Sequence, residues 1–348
     1  MIQVNKKRNR KRLVIWIASI LLLLIVAFAG LAYSFIFKPI ELTGTEYIYI
    51  DENKDYEGVI DQLQEKVGLP NEDVFRFLSE RMNYHNMVKT GRYLVEDGMN
   101  MPDLIRRLRS GNQEPVNLTF NNIRTMENLA GRLSSQLMTD SVSILNVLND
   151  TAVAESYGFN EQTFGAMFIP NTYEVYWDTS IDNLIKRMKR EYDSFWNSSR
   201  RAKAEELGLT PVEVTTLASI VEEEATFADE YPIVAGLYIN RLNRGMRLEA
   251  DPTVKFAVGD ASLRRILFKH LEVESAYNTY KNDGLPPGPI RIPSTISIDA
   301  TLSPAQHKYL FMCAKDDLSG RHNFAITHAE HARNARAYQR ALNERGIY

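Results

Sequence analysis

Three consecutive glutamates, Glu222, Glu223 and Glu224, end an apolar run in the segment Leu217–Ala225, LASIVEEEA. A carboxyl group pushed into an apolar, partly closed setting has its pKa raised and can keep a proton near neutral pH, which is the requirement for a general acid. The side on which each glutamate lies therefore matters. Thr210-Pro211-Val212-Glu213 reads as a helix start, with Thr as N-cap, Pro at the first helical position and Glu completing a capping box. The helix is expected to run to about Thr226. At 100° per residue Leu217, Ile220, Val221, Ala225 and Ala228 share one side, with Glu224 within it, Glu222 on its border and Glu223 nearly opposite. Periodicity alone thus selects Glu224 and leaves Glu223 as solvated surface. The bland alternative is that a glutamate run on a helix is a solvated face throughout.

Other residue types that could meet a ligand follow closely. A second helix, with Pro232 in its first turn, is expected through Leu242 and stops at Gly245, with Asn240 and Arg241 beside its apolar stripe. Asp251-Pro252 reads as a turn opener, with Thr253 next to it. Ala276–Tyr280 (AYNTY, holding Tyr277 and Asn278) and Gly284–Ile290 (GLPPGPI) read as a rigid loop. Fixed Tyr and Asn side chains suit hydroxyl-rich ligands, although a purely structural Pro-rich loop has the same composition. His328-Ala329-Glu330-His331 is not an HExxH pattern and lacks an evident third ligand, so a helix surface over His328–Arg340 is the better account. No metal and no cofactor are expected. Cys313 is the single cysteine, which excludes an intramolecular disulfide and CxxC zinc sites.

These segments sit behind an unusual N-terminus. Residues 1–12 hold six basic residues and no acidic one, and Leu13–Phe37 is free of charge for 25 residues. That length spans a bilayer, and the basic cluster Lys6–Arg12 assigns the N-terminus to the cytoplasm and everything after Lys38 to the outside. A cleaved signal peptide is the alternative, since Ala27-Phe28-Ala29 imitates a cleavage site. Beyond residue 37 there are 35 basic residues against 44 acidic, a net of −9, which argues against a nucleic-acid partner.

Alternation over Glu46–Asp51 and Gly91–Glu96 predicts strands, and helical spacing predicts helices over Tyr56–Val67, Asn71–Tyr84 and Met101–Leu108. This strand–helix–helix–strand order resembles a LysM-like module, a type that binds N-acetylglucosamine chains, although a structural spacer has the same pattern. Pro115–Phe120 opens a larger domain with helices at about Met126–Leu137, Val142–Leu148 and Ile181–Trp196. The expected class is α+β. The layout is a basic cytoplasmic tail (1–12), one transmembrane helix (13–37), a LysM-like α/β module (38–114) and a mostly helical α+β catalytic domain (115–348).

SIVEEEA at 219–225, INRLNRGMRLEADPTV at 239–254, AYNTY at 276–280 and GLPPGPI at 284–290 together resemble the YceG-like (MltG) family of membrane-anchored endolytic murein transglycosylases. Weaker echoes are YLVEDGM at 93–99, FIPNTYEVY at 168–176 and His322-Asn323-Phe324, so the resemblance covers roughly residues 91–331. Ile169 and Asn171 depart from the family's aromatic-Pro-Asp arrangement. The resemblance implies a lytic transglycosylase (a lyase) that cleaves the MurNAc–GlcNAc β-1,4 bond of peptidoglycan, leaves a 1,6-anhydro-MurNAc end, and terminates or trims nascent strands. It implies Glu222 as the catalytic acid and base, with Glu224 in a supporting role. Asn240, Arg241, Asp251, Thr253, Tyr277 and Asn278 are implied as substrate-binding residues, although capping and turn roles fit the Asn and Asp equally well. It further implies glycan strands as substrate, the cytoplasmic (inner) membrane as location, and cell-wall synthases as candidate partners in cell-wall biogenesis. On this view Glu222→Gln abolishes cleavage, Glu224→Gln weakens it and Glu223→Gln does little.

Two rival readings use the same residues. A noncatalytic peptidoglycan-binding scaffold would keep the glutamate helix and the GLPPGPI loop for structure alone. An aminodeoxychorismate lyase would need PLP, a Schiff-base lysine and a cytoplasmic setting, which an exported domain contradicts.

Overall fold

The computed structural model describes residues 2–260, 263 and 266–346, with side chains described from residue 11 onward. A single long helix spans Ile2–Ile36. Within its stretch Lys11–Ile36 an 18-residue window has a mean hydropathy of 2.9 and none of that window is buried, so by length and composition it can cross a membrane. Two compact units then divide the chain, residues 1–116 with 174–178, and residues 117–173 with 179–348.

In the first unit, strands Glu46–Ile50 and Gly91–Val95 pair antiparallel, with Glu46 opposite Val95 and Ile50 opposite Gly91. Between them lie helix Tyr56–Gln62, continued as a π-turn over Leu63–Val67, and helix Glu72–Arg81, whose N-cap Asn71 accepts from the Val74 amide at 3.0 Å. Helix Met101–Ser110 follows and ends at Gly111, whose φ of +77° lets the chain turn out of the helix. Ile48, Phe75, Tyr93 and Leu104 are fully buried at the centre of this unit. Residues 174–178 join it through Trp177, edge-on to Tyr49, and through Asp178, which accepts from Thr90 Oγ1 at 2.6 Å. Across the described residues the chain is α+β, the class that its patterning predicts.

The second unit is built around the glutamate helix, Pro211–Glu224. Thr210 caps it as expected: its hydroxyl accepts from the Glu213 amide while the Glu213 carboxylate accepts from the Thr210 amide at 2.7 Å. The helix stops at Glu224 rather than Thr226, because Ala225 turns to an extended conformation. It packs against helices Tyr231–Leu242, Asp251–Val258 and Thr295–Thr301. Every residue from Val214 to Val221 is buried, so this helix has no solvent face along its middle. A helix apolar on all sides is a core element, and wheel position alone does not decide which of its residues meet water.

Two further elements close the site. Asp251-Pro252 opens the helix Asp251–Val258 instead of a turn, the proline sitting in the first turn where no amide donor is needed. Strands Phe311–Ala314 and His322–Ala325 form an antiparallel hairpin, and helix His328–Glu344 packs on it. The GLPPGPI loop is fixed to the glutamate helix by the Ile290 amide, which donates to Ser219 Oγ at 3.0 Å. At Gly288 a Cβ would stand 2.1 Å from the Gln162 carbonyl oxygen. Backbone cannot yield as a side chain can, so Gly288→Ala is expected to lower stability by about 1–3 kcal/mol. Thermal melts of the two proteins check this, and an unchanged melting temperature would refute the close approach.

Candidate active site

The three glutamates meet three different environments, but not the three expected. Glu223 is not solvated surface. Its side chain is 15% exposed and is held by Arg291 at 2.6 Å and Arg124 at 3.1 Å. The buried middle of the helix carries its last turn into the protein on every side, which is why the periodicity misplaced it. Glu222 has both oxygens engaged: Oε2 accepts from the Ser294 amide at 2.6 Å, and Oε1 faces Arg291 at 3.2 Å. Ser294 is itself the N-cap of helix Thr295–Thr301, so Glu222 ties one helix end to another helix start.

Arg291 is the residue that sequence reasoning missed. Only 5% exposed, it bridges Glu222 and Glu223 and donates to Asn122 Oδ1 at 2.6 Å. A signal was present, since two carboxylates drawn into a core require a cation and Arg291 directly follows GLPPGPI.

Glu224 lies apart from this network. It lines a cleft of about 380 Å³ together with Tyr238, Arg241, Asp251, Tyr280 and His322. Burial pushes its pKa from 4.5 up to about 8, with the nearby Asp251 charge adding to the effect, and among the described residues no hydrogen bond offsets them. Tyr280 donates its hydroxyl to Asp251 at 2.6 Å. Burial and that contact hold the Tyr280 proton far above the usual range, and burial does the same for Tyr238.

Arg241 is almost fully buried in the wall of this cleft. Its Nε donates to the Arg247 carbonyl at 2.7 Å and its Nη2 pairs with Glu249. Glu249 takes a left-handed backbone (φ +48°), a conformation that costs a non-glycine residue energy and is often found at functional sites. The hairpin also lines the cleft, through Phe311–Ala314 and His322. His322 is anchored by the buried Glu230, whose carboxylate accepts from its backbone amide at 3.1 Å and lies 3.0 Å from Nδ1. His331 also lines the cleft, so the His328–Arg340 helix is not surface alone; Glu330 serves as its capping carboxylate.

The predicted binding residues divide accordingly. Arg241 and Asp251 join Glu224 in the cleft. Asn240, Thr253 and Asn278 do not line it, because each is used by the fold. Asn240 donates to the carbonyls of His307 and Tyr309, the fully buried Thr253 bonds to Ala250 and Thr279, and the fully buried Asn278 donates to the carbonyls of Leu271 and Val273. Tyr277 lines a different cavity, against Phe256. Among the described residues no group of three His, Cys, Asp or Glu side chains is arranged to hold a metal ion.

Comparison with known proteins matches residues 48–337 to the YceG-like family. The chain belongs to that family. The YceG-like chain is 28% identical over 333 residues to a Streptococcus pneumoniae (strain R6) protein named endolytic murein transglycosylase, covering 85% of this chain and 59% of that protein. It thus spans well under two thirds of that relative. A Bacillus subtilis (strain 168) protein of the same name is 29% identical over 273 residues, covering 74% of this chain and 75% of its own length. A solved structure of a yceG-like protein from Listeria monocytogenes superposes with a TM-score of 0.55 at 27% identity, covering 83% of this chain and 99% of that one.

Proposed function

We propose that this YceG-like protein is an endolytic peptidoglycan transglycosylase, and that Glu224 carries its proton. The observation behind this is a carboxyl on the wall of a polar cleft, without a hydrogen bond among the described residues, whose pKa burial and the Asp251 charge push up to about 8. Protonated Glu224 donates to the glycosidic oxygen as the C1–O bond of the muramyl residue breaks through an oxocarbenium-like state. The resulting Glu224 carboxylate then takes the proton of the muramyl C6 hydroxyl, whose oxygen closes on C1. One proton leaves and one returns, so the enzyme is restored and no water is consumed.

This moves the acid and base role from Glu222, which the family resemblance favours, to Glu224. A donor needs an oxygen free to face the substrate, and both Glu222 oxygens are occupied by Ser294 and Arg291. Glu222 then acts by holding the helix end that presents Glu224. Asp251, kept in place by Tyr280, favours the protonated acid, and Arg241 offers fixed positive charge beside the glycan.

The apolar helix supports membrane anchorage, and the Lys6–Arg12 cluster supports a cytoplasmic N-terminus with both units outside, on the inner membrane. In that setting the substrate is nascent glycan, the strand–helix–helix–strand unit acts as a LysM-like module, and cell-wall synthases are the associated enzymes. Full-length protein in detergent, incubated with purified glycan strands, tests the reaction. Mass spectrometry is expected to find 1,6-anhydro-MurNAc ends. Reducing ends in their place would mean water attack, and no cleavage would favour a scaffold. The rate is expected to fall as pH rises through about 8, as Glu224 loses the proton it must donate.

A further inference from the structure

A second cavity of about 490 Å³ lies in the same unit, lined in part by Arg124, Glu127, Asn149, Glu161, Phe256 and Tyr277. The rings of Phe256 and Tyr277 stand 4.6 Å apart and are tilted by 49°. Phe256 is 40% exposed and shares this cavity with the carboxylates of Glu127 and Glu161 and the amide of Asn149. A pyranose needs this combination, because its C–H face packs on an aromatic ring while its hydroxyls and acetamido group reach polar side chains at the rim.

Two segments contribute a residue each to both this cavity and the Glu224 cleft. Helix Asp251–Val258 gives Asp251 to the cleft and Phe256 to the second cavity, five residues and about 7.5 Å further along its axis. The turn 277–280 likewise gives Tyr280 to one and Tyr277 to the other. Arg291, which holds Glu222 and Glu223, also lines the second cavity.

We infer that the second cavity is a distal site for an N-acetylated sugar ring of the same glycan strand that is cut at Glu224, an inference that rests on the function proposed above. A polymer held at two points along its length is cut within the strand, and binding gained equally in the ground and transition states lowers KM without altering kcat.

Full-length Glu224→Gln protein in detergent, titrated with purified uncrosslinked glycan strands, measures binding without turnover. Phe256→Ala in that background is expected to weaken binding at least roughly five-fold, and Phe256→Trp to keep it within about two-fold, since stacking needs the ring. In the active protein Phe256→Ala is expected to raise KM by the same factor with little change in kcat, the signature of lost ground-state binding. If Phe256→Ala loses its thermal transition, Asn149→Ala at the exposed rim carries the test, with a measurable loss of affinity expected. Unchanged affinity and KM overturn the inference, as does a fall in kcat at constant KM, which would make Phe256 a support for the Asp251 helix. Binding that depends on Phe256 in a protein that forms no anhydro ends would keep the distal site and reject the proposed reaction.

Discussion

Glu224→Gln is expected to cut the formation of 1,6-anhydro ends by roughly 10²–10⁴-fold, the usual contribution of a positioned acid and base. Glutamine fills the same space without the transferable proton, so the loss isolates chemistry from packing. Glu222→Gln is expected to behave differently. It weakens the contacts to Arg291 and Ser294, costs about 1–3 kcal/mol of stability, and leaves measurable cleavage. Rates of anhydro-product release from the two variants decide between the carboxyls; a dead Glu222→Gln beside an active Glu224→Gln would return the proton to Glu222.

A second readout comes from stability. The folded-state pKa of Glu224 lies above its ordinary 4.5, so the folded protein binds this proton more tightly than the unfolded chain. The raised pKa costs nothing below pH 4.5; its cost grows as pH rises and reaches about a few kcal/mol above pH 8. Glu224→Gln removes that cost. The variant is expected to melt higher than the wild type at pH 9 and level with it near pH 4.

Arg291→Ala is expected to cost about 3–5 kcal/mol, measured by urea titration, because it strands two largely buried carboxylates. Arg124, more than half exposed, reaches only Glu223 and cannot replace it. Arg291→Lys should recover only part of the loss, since an ammonium cannot fork to Glu222, Glu223 and Asn122 together. A loss under about 1 kcal/mol for the alanine variant would place these pairs among ordinary surface ion pairs.

Local rules were legible wherever the chain obeys them alone. The Thr210–Glu213 capping box, the strands at Glu46 and Gly91 and the apolar N-terminal helix follow from neighbouring residues, and the structure has them within a few positions. Asp251-Pro252 was ambiguous because the same dipeptide opens turns and helices; packing against the glutamate helix selects the helix. The cleft was less legible. Glu223 was misread because periodicity presumes one wet side, and this helix is dry along its middle. Asn240, Thr253 and Asn278 have side chains that suit sugar and backbone alike, and only tertiary contacts show that backbone carbonyls and neighbouring hydroxyls occupy them. The partnership of Arg291 with Glu222 spans 69 residues, so its only sequence signal, a cation after GLPPGPI, becomes legible once both carboxylates are known to be drawn inward.

The early stop of the glutamate helix has a further consequence. Glu224 is its last residue, so the carboxyl sits at the negative pole of a helix macrodipole 14 residues long. A negative charge there is disfavoured by about 0.3–1 kcal/mol, in the same direction as burial and Asp251. Where the backbone leaves the helix at Ala225 is thus a control on acidity: running the helix another turn would carry that pole away from Glu224 and weaken its hold on the proton.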